Sequence, residues 1–176
     1  MIRTAFALLA ATITSGPAAR PGAPAAPSAL DDATIVAIFD AANTYDIDAA
    51  TLASKKATRQ DVRDFAAMLI KAHTDARQQG RNLAKKLHVT PTPPAVNPLE
   101  ASHDSAMKRL RALEGAAFDR AFLDNEIAYH KAVIGAVQTT LLPAIRNAQL
   151  RALVIRLAPV FQQHQAAAEA LRAKVP

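Results

Sequence analysis

Four long segments of the chain carry apolar side chains at the 3.6-residue spacing of an amphipathic α-helix. A fifth, shorter segment with the same spacing lies between the second and the third. Asp31 and Asp32 precede the first segment and can cap its amino end, as Asn147 can for the last. The pattern therefore predicts an all-α protein. The predicted helices are 31–56, 59–87, 98–113, 116–142 and 147–174.

The connections between these segments predict how the helices are arranged. A short loop near Ala57 joins the first two helices, and a turn at 143–147 joins the last two, so each pair forms an antiparallel hairpin. The segment VTPTPPAVNP (89–98) has four prolines and cannot continue a helix. Two hairpins joined by this longer crossover predict a ferritin-like four-helix bundle with a short extra helix in the crossover.

Two residues predict local interruptions of the helices. Gly115 is a natural stop for the short helix, since glycine often follows the last helical residue. Pro159 lies inside the last predicted helix, where its ring removes the hydrogen bond to the carbonyl of Ile155. We therefore expect a kink at Pro159.

The amino terminus has the order of regions found in a secretory signal. Arg3 is followed by an apolar stretch with FALLAATI at its centre, and then by small residues. The stretch is shorter than the roughly 20 residues that a membrane span needs. Cleavage after Gly16, Ala18 or Ala19 fits the pattern, and no cysteine follows that could carry a lipid anchor. We expect a periplasmic or secreted protein with a signal peptide at 1–18, a Pro/Ala-rich linker at 19–30, a bundle at 31–174 and no transmembrane span in the mature chain.

Composition and charge exclude several classes of function. The chain has no cysteine, which excludes disulfides, thiolate metal sites and cysteine nucleophiles. Its formal net charge is +6, but basic and acidic residues alternate along the helical faces and there is no Trp. A nucleic-acid-binding protein would gather basic and aromatic residues on one face, so we predict no nucleic-acid binding. Ala-rich helix faces suggest a homo-oligomer as a further hypothesis.

Three histidines occur in the apolar stripes of three different predicted helices. At about 1.5 Å per residue, His73 lies about 23 Å and Asp46 about 17 Å from the first hairpin turn. By the same measure, His130 and His164 lie about 24 and 27 Å from the second turn. Glu126 is one helical turn from His130 on the same face. The sequence therefore predicts a mid-bundle cluster of Asp46, His73, Glu126, His130 and His164.

Two interpretations of this cluster are open from the sequence alone. Imidazole and carboxylate groups suit Zn, Cu, Fe, Ni or Mn, so the cluster is a candidate transition-metal site. Alternatively, the histidines are buried side chains that hydrogen-bond to carboxylates or to neighbouring helices. A standard di-iron centre is disfavoured, because no acidic residue stands three positions before any of the three histidines.

The rest of the chain offers no legible catalytic site. There is no Ser-His-Asp or Cys-His arrangement and no Gly-rich phosphate loop, so we assign no catalytic or organic-cofactor-binding residue. Asp48 is the alternative to Asp46 on the first helix but points further from the apolar stripe. His88 and His103 flank the Pro-rich connection, and we expect them to be exposed and without a role.

The histidine-bearing segments resemble the motifs of a known family. Segments VRDFAAMLIKAHT (62–74), FDRAFLDNEIAYH (118–130) and APVFQQH (158–164) are similar to three motifs of the DUF4142 family. Ala72 stands where that family usually has an acid before the histidine, and Ala158 stands where it has Leu. The similarity extends over about 33–172 and implies an exported bacterial protein with a ferritin-like bundle. It implies no particular reaction.

Two functional hypotheses follow. The first is a non-enzymatic exported bundle, related to the envelope or to stress, that acts through its surface. The alternative is a transition-metal-binding protein that uses the mid-bundle cluster. In the first helix, the DUF4142 family tends to have Glu where Asp46 and Asp48 stand here, which is where the resemblance is weakest.

Overall fold

The structure is a computed structural model that describes residues 30–175. The predicted signal peptide, and the linker apart from its last residue, lie outside the described residues. Within 30–175 there is no β-strand, and the predicted all-α class is confirmed. The helices are α1 Asp32–Lys56, α2 Gln60–Lys86, α3 Pro98–Ala112, α4 Gly115–Ala136, a π-helical turn Val137–Leu141, α5 Leu142–Ala144 and α6 Ala148–Arg172.

The four long helices form a closed bundle. Helix α1 packs antiparallel to α2, and α4 packs antiparallel to α6, as the short connecting loops predict. Helix α2 also contacts α6, and α1 contacts α4, which closes the bundle on both remaining sides. The short helix α3 lies in the crossover and touches α1 and α4. No helix within residues 30–175 combines the length and apolarity needed to cross a membrane.

Side-chain caps fix the ends of several helices. The Asp31 carboxylate accepts a hydrogen bond of 2.8 Å from the backbone N–H of Thr34. The Asn147 side chain accepts bonds from the N–H groups of Gln149 and Leu150 at the start of α6. Asp31 and Asn147 are therefore confirmed as caps, and each satisfies backbone donors that a helix leaves unpaired at its amino end. Asp32 is instead the first residue of α1, and its carboxylate accepts from the N–H groups of Arg146 and Asn147.

The α4 region differs from its prediction in two ways. Helix α3 ends at Ala112, and Gly115, with a φ of +60°, is the first residue of α4 rather than the stop of α3. Helix α4 gives way at Val137 to the π-helical turn, which widens the helix by one residue per turn and runs directly into α5. Helix α6 continues through Pro159 to Arg172, and the expected kink at Pro159 stays a prediction.

Two apolar clusters fill the ends of the bundle and leave a polar layer between them. The cluster near the α1–α2 turn includes Ala53, Val62, Phe65, Leu69, Leu110, Phe118, Phe122 and Leu123. The cluster near the α5–α6 turn includes Ile35, Val36, Ala84, Val137, Ile145, Leu150 and Val154. The side chains of the intervening layer are buried as well, since they lie on the same inward helix faces as the apolar residues.

Candidate metal centre

The structure brings all five residues of the predicted cluster together in the polar layer. Each is at most 4% exposed to solvent. The three imidazole rings lie 5.1 to 5.5 Å apart, measured between ring centroids. Ligand atoms of His73, His130 and His164 all lie within 4.8 Å of one another, and so do those of Asp46, Glu126 and His130. Four helices contribute one buried site.

The protonation of His73 is fixed by a neighbour on α1. The side-chain amide of Asn43 donates to the Phe39 carbonyl at 2.8 Å, which orients its oxygen toward His73. That oxygen lies 3.0 Å from Nδ1 of His73. An amide oxygen only accepts, so Nδ1 of His73 carries the proton and its Nε2 presents a lone pair.

A backbone carbonyl fixes the protonation of His130 in the same way. Nδ1 of His130 lies 3.0 Å from the carbonyl oxygen of Glu126, one turn earlier on α4. Nδ1 is therefore the donor, and Nε2 presents a lone pair toward the centre of the layer. This Nε2 has no hydrogen-bond partner among residues 30–175. Metal-binding histidines are commonly held by such a bond from the ring nitrogen that does not bind the ion.

Three short separations link four candidate ligand atoms of the layer. Nε2 of His73 lies 3.2 Å from Nδ1 of His164 and 3.4 Å from Oδ2 of Asp46. The same Oδ2 lies 3.6 Å from Nε2 of His130. Ligand atoms of a tetrahedral ion at about 2.0–2.1 Å stand about 3.3–3.4 Å apart, because a tetrahedron's edge is about 1.6 times its radius. The three distances bracket this value.

Burial keeps these groups neutral in the absence of a cation. It raises the pKa of Asp46 to about 8, and it raises the pKa of Glu126 well above its ordinary value with a further contribution from the nearby Asp46. Burial lowers the pKa of His73 to about 2, assisted by the other two histidines, and that of His130 and His164 to about 4. At neutral pH the imidazoles are therefore unprotonated bases, the form that binds metal ions.

The carboxylate groups hold most of the atoms in the layer that lack a hydrogen-bond partner. Neither oxygen of Asp46 has a hydrogen-bond partner within residues 30–175, and neither has Oε2 of Glu126. The other oxygen of Glu126 accepts a bond of 3.2 Å from the side chain of Asn125. Buried polar atoms usually have partners, so three unpaired carboxylate oxygens in one layer indicate a site built for a cation or for shared protons.

Aromatic side chains surround the histidines. The Phe161 ring stacks on His73 with centroids 5.4 Å apart and planes 9° from parallel. Tyr129 meets His130 edge-on at 6.0 Å, and its hydroxyl donates to the carbonyl of Ala42 at 2.7 Å. These contacts restrict the rotation of two imidazoles and keep water away from the layer.

The sequence did not identify Asn43, Tyr129 or Phe161 as part of the site. Asn43 stands three residues before Asp46 on α1, and this spacing puts the two side chains on the same inward face. A polar residue inside the apolar stripe of α1 was the signal that could have found it. Phe161 fits the apolar stripe of the last helix as an ordinary core residue, and Tyr129 stands outside the apolar stripe of the third.

The other residues considered in the sequence lie outside the layer. Asp48 is half exposed, and its carboxylate lies 3.7 Å from Nε2 of His103. The expectation that His103 is exposed was wrong, because its ring stacks on Tyr45 at 4.5 Å and its side chain is only 13% exposed. His88 is exposed, as predicted, and sits in the loop after α2 with a φ of +54°.

Comparison with known proteins identifies the family. Residues 17–171 match the family described as "Domain of unknown function (DUF4142)". The chain belongs to the DUF4142 family. This DUF4142 chain also resembles the crystal structure of a DUF305 fragment from Deinococcus radiodurans, with a TM-score of 0.70 and 16% identity, over 81% of this chain and 95% of that one. At that identity the likeness shows the fold alone. No curated protein matches the chain significantly.

Proposed function

We propose that this protein is a ferritin-like helical bundle of the bacterial cell envelope that binds one divalent transition-metal ion without being an enzyme. His73, His130, His164 and Asp46 supply the four ligand atoms, and Glu126 supplies a second negative charge beside them. The envelope location rests on the signal-like pattern of residues 1–18. The ferritin-like description rests on two antiparallel hairpins joined by a crossover that holds α3.

One observation carries the proposal: the Nε2 lone pair of His130 and the Oδ2 oxygen of Asp46 lie beside the His73–His164 pair with no donor between them. In the metal-free protein, Nδ1–H of His164 donates to Nε2 of His73 at 3.2 Å. The separation of 3.6 Å between Nε2 of His130 and Oδ2 of Asp46 is too long for a hydrogen bond. The same separation is close to that between two ligands of one ion.

Charge supports a divalent ion in this position. Asp46 and Glu126, when ionised, carry two negative charges inside a layer that is closed to solvent. Unpaired buried charges are costly, and a divalent cation balances both. Binding then releases the protons that the raised pKa values of these carboxyls hold near neutral pH.

The ligand set favours zinc and a binding role. Three imidazoles and one carboxylate at tetrahedral spacing suit Zn²⁺, whereas Mg²⁺ and Ca²⁺ prefer six or more oxygen ligands. Four protein ligands also complete a tetrahedron, as structural zinc sites do, and leave no position for a substrate. His164 joins the set after moving its proton from Nδ1 to Nε2.

Metal titration of the purified protein tests the proposal. We expect one Zn²⁺ per chain in competition with a chromophoric chelator, and a melting temperature that rises with added Zn²⁺. At 100 times the dissociation constant the ion stabilises the fold by about 2.7 kcal/mol. His164→Gln should abolish the stoichiometric binding. His103→Gln is the matched control, since His103 lies on Tyr45 outside the layer, and it should bind as the parent does.

The opposite result would end the proposal. Substoichiometric metal, together with a melting temperature that does not change on adding Zn, Cu, Fe or Mn, would favour the hypothesis of a bundle that acts through its surface alone. That hypothesis and the homo-oligomer both stay predictions. Light scattering tests the second, because a monomer and a dimer of this chain differ twofold in mass.

A further inference from the structure

A deep cavity lies beside the metal centre. Its volume is about 330 Å³, and its walls come from α1, from α4 with the π-helical turn, and from the Pro-rich connection. His73, His130 and Phe161 stand at its inner end. The side walls are almost wholly apolar and include Ile38, Phe39, Val133, Val137 and Leu141. An apolar cavity of this size is typical of a small-molecule site.

The lining of the cavity extends along α4 and the π-helical turn. The residues that line it on α4 and the π-helical turn run from Tyr129 to Leu141, which corresponds to about 18 Å of helix. Leu30 and Leu141 pack in one apolar cluster at one end, while Asn43 and His73 are bonded to each other at the other end. A volume of about 330 Å³ drawn out over that length fits an extended chain better than a compact ring system.

The inner end offers no free hydrogen-bond donor to a carboxylate or phosphate head group, because the unpartnered Nε2 of His130 is an acceptor. The Tyr129 hydroxyl already donates to the Ala42 carbonyl, and the Asn43 side chain is already bonded to Phe39 and His73. The nitrogens of His73 and His130 that are not hydrogen-bonded to these neighbours face the metal position. A charged head group buried here would be desolvated without compensation.

The opposite side of the cavity reaches solvent. Val96 in the Pro-rich connection is 78% exposed, and Ala136 and Thr140 on the facing helix are exposed as well. The π-helical turn, which contains Thr140, contributes Val137 and Leu141 to the wall beside this opening. Such turns interrupt regular helices mostly at functional sites.

We propose that this cavity binds one hydrocarbon chain of a fatty acid or lipid, with the methyl end toward His73 and His130. The polar head stays in water at the opening beside Thr140. The observations that carry this are the apolar walls, a lining that extends along about 18 Å of helix, and the absence of a free hydrogen-bond donor at the inner end among the described residues. Binding does not require the metal ion, so the inference goes beyond the metal site and stands or fails separately from it.

Chain-length dependence gives the sharpest test. In this assay, saturated fatty acids of increasing length compete with dansyl-labelled undecanoic acid for the metal-free protein. Dansyl fluorescence measures how much of the probe is displaced. Each added methylene that enters the cavity should tighten binding about fourfold, from about 0.8 kcal/mol per buried methylene. The gain should stop once the chain is longer than the cavity. Affinity that rises without a plateau would indicate adsorption to the surface and overturn the inference.

Two tryptophan variants locate the binding. Ala136→Trp fills the opening and should weaken dansyl-undecanoate binding at least tenfold. Ala132→Trp is the matched control, because Ala132 is an exposed alanine one turn earlier on α4 and does not line the cavity. Circular dichroism and thermal melting establish that both variants fold. Equal binding by the two variants would overturn the inference.

A second pair of measurements distinguishes the two sources of the chain. Displacement by free fatty acid without sedimentation on phosphatidylglycerol vesicles points to a free acid, and sedimentation that Ala136→Trp abolishes points to a membrane lipid. If fatty acids do not displace the probe and the protein does not sediment with vesicles, the inference is overturned. Repeating the titration with Zn²⁺ present separates the two proposals, because chain binding without Zn²⁺ binding removes only the metal site.

Discussion

Two buried aspartates, Asp119 and Asp46, lie in different layers of the bundle and have opposite surroundings. Asp119 accepts three hydrogen bonds at the start of α2, from Thr58 N–H at 2.9 Å, the Thr58 hydroxyl at 2.6 Å and Arg59 N–H at 3.0 Å. Asp46 is equally buried, yet neither of its oxygens has a hydrogen-bond partner within residues 30–175.

The difference teaches that burial alone does not mark a functional carboxylate. Asp119 belongs to α4 and accepts from Thr58 in the loop before α2 and from Arg59 at the cap position of α2. It therefore ties the second hairpin to the first. Asp46 faces lone pairs instead of donors, so its surroundings stabilise the fold only when a cation or a proton is added.

The largest expected effect is the loss of stability on replacing Asp119, the structural carboxylate of the two. Asp119→Ala leaves the donors of Thr58 and Arg59 buried without an acceptor and should lower the free energy of unfolding by about 3 kcal/mol or more. Urea unfolding followed by circular dichroism measures this loss. The Zn²⁺ stoichiometry of the folded variant should stay at one ion per chain. A loss of Zn²⁺ binding as large as that of a ligand variant would contradict the division of roles.

The next largest effect is the loss of Zn²⁺ affinity on replacing Asp46, the proposed metal ligand. Asp46→Asn removes an anionic ligand and should weaken Zn²⁺ binding at least about 100-fold, since even neighbours of metal ligands are worth 10- to 100-fold. Chelator competition measures the affinity. The metal-free variant should keep its stability to within about 1 kcal/mol, because the amide matches the neutral carboxyl in size and can also donate to Glu126. Asp48→Asn is the control on the same helix and should change neither quantity.

The depth of the site residues and their inward direction could be predicted from the sequence. A constant rise of 1.5 Å per residue and two short hairpin loops suffice to put His73, His130 and His164 at one depth. Inward direction follows from apolar neighbours at 3.6-residue spacing. Asp46 was selected over Asp48 by the same spacing, and the structure puts Asp46 in the layer and Asp48 at the surface.

The remaining features could not be predicted from the sequence, because they depend on individual contacts between atoms and not on the spacing of apolar residues. The partner of His73 is an amide oxygen on another helix, and its orientation depends on the bond from Asn43 to Phe39. The π-helical turn at Val137–Leu141 shifts the register by one residue, which leaves too little change in the apolar pattern to detect. Asp119 lies far along the chain from Thr58 and Arg59, the residues that donate to it.

A smaller loss of Zn²⁺ affinity is expected from a change that leaves every proposed metal ligand in place. Asn43→Ala removes the acceptor that fixes the proton of His73 on Nδ1. Zn²⁺ affinity should fall about 10- to 100-fold, the usual cost of losing such a neighbour, while the stoichiometry stays at one ion. Asn82→Ala, on the exposed side of α2, is the matched control. An unchanged affinity in Asn43→Ala would mean that the packing of Phe161 alone orients the ring.

The smallest effect is the pH dependence of stability in the metal-free protein. Between the lowered folded pKa of His130 and His164, about 4, and the ordinary value near 6.5, the unfolded chain binds more protons, so stability rises with pH. Above pH 6.5 that contribution is constant. Asp46, with its folded pKa raised to about 8, still holds a proton that the unfolded chain has lost, so stability falls up to about pH 8.

Stability of the metal-free chain should therefore be greatest near pH 6.5. Asp46→Asn removes the share of Asp46 in the decline, about 1.4 kcal/mol per pH unit for one proton. Urea unfolding in the presence of a chelator at pH 5.5, 6.5 and 7.5 measures the profile. Equal slopes above pH 6.5 in the parent and the variant would mean that Asp46 is already ionised there. Saturating Zn²⁺ should abolish the decline in the parent, because the bound ion keeps the carboxylate charged and paired.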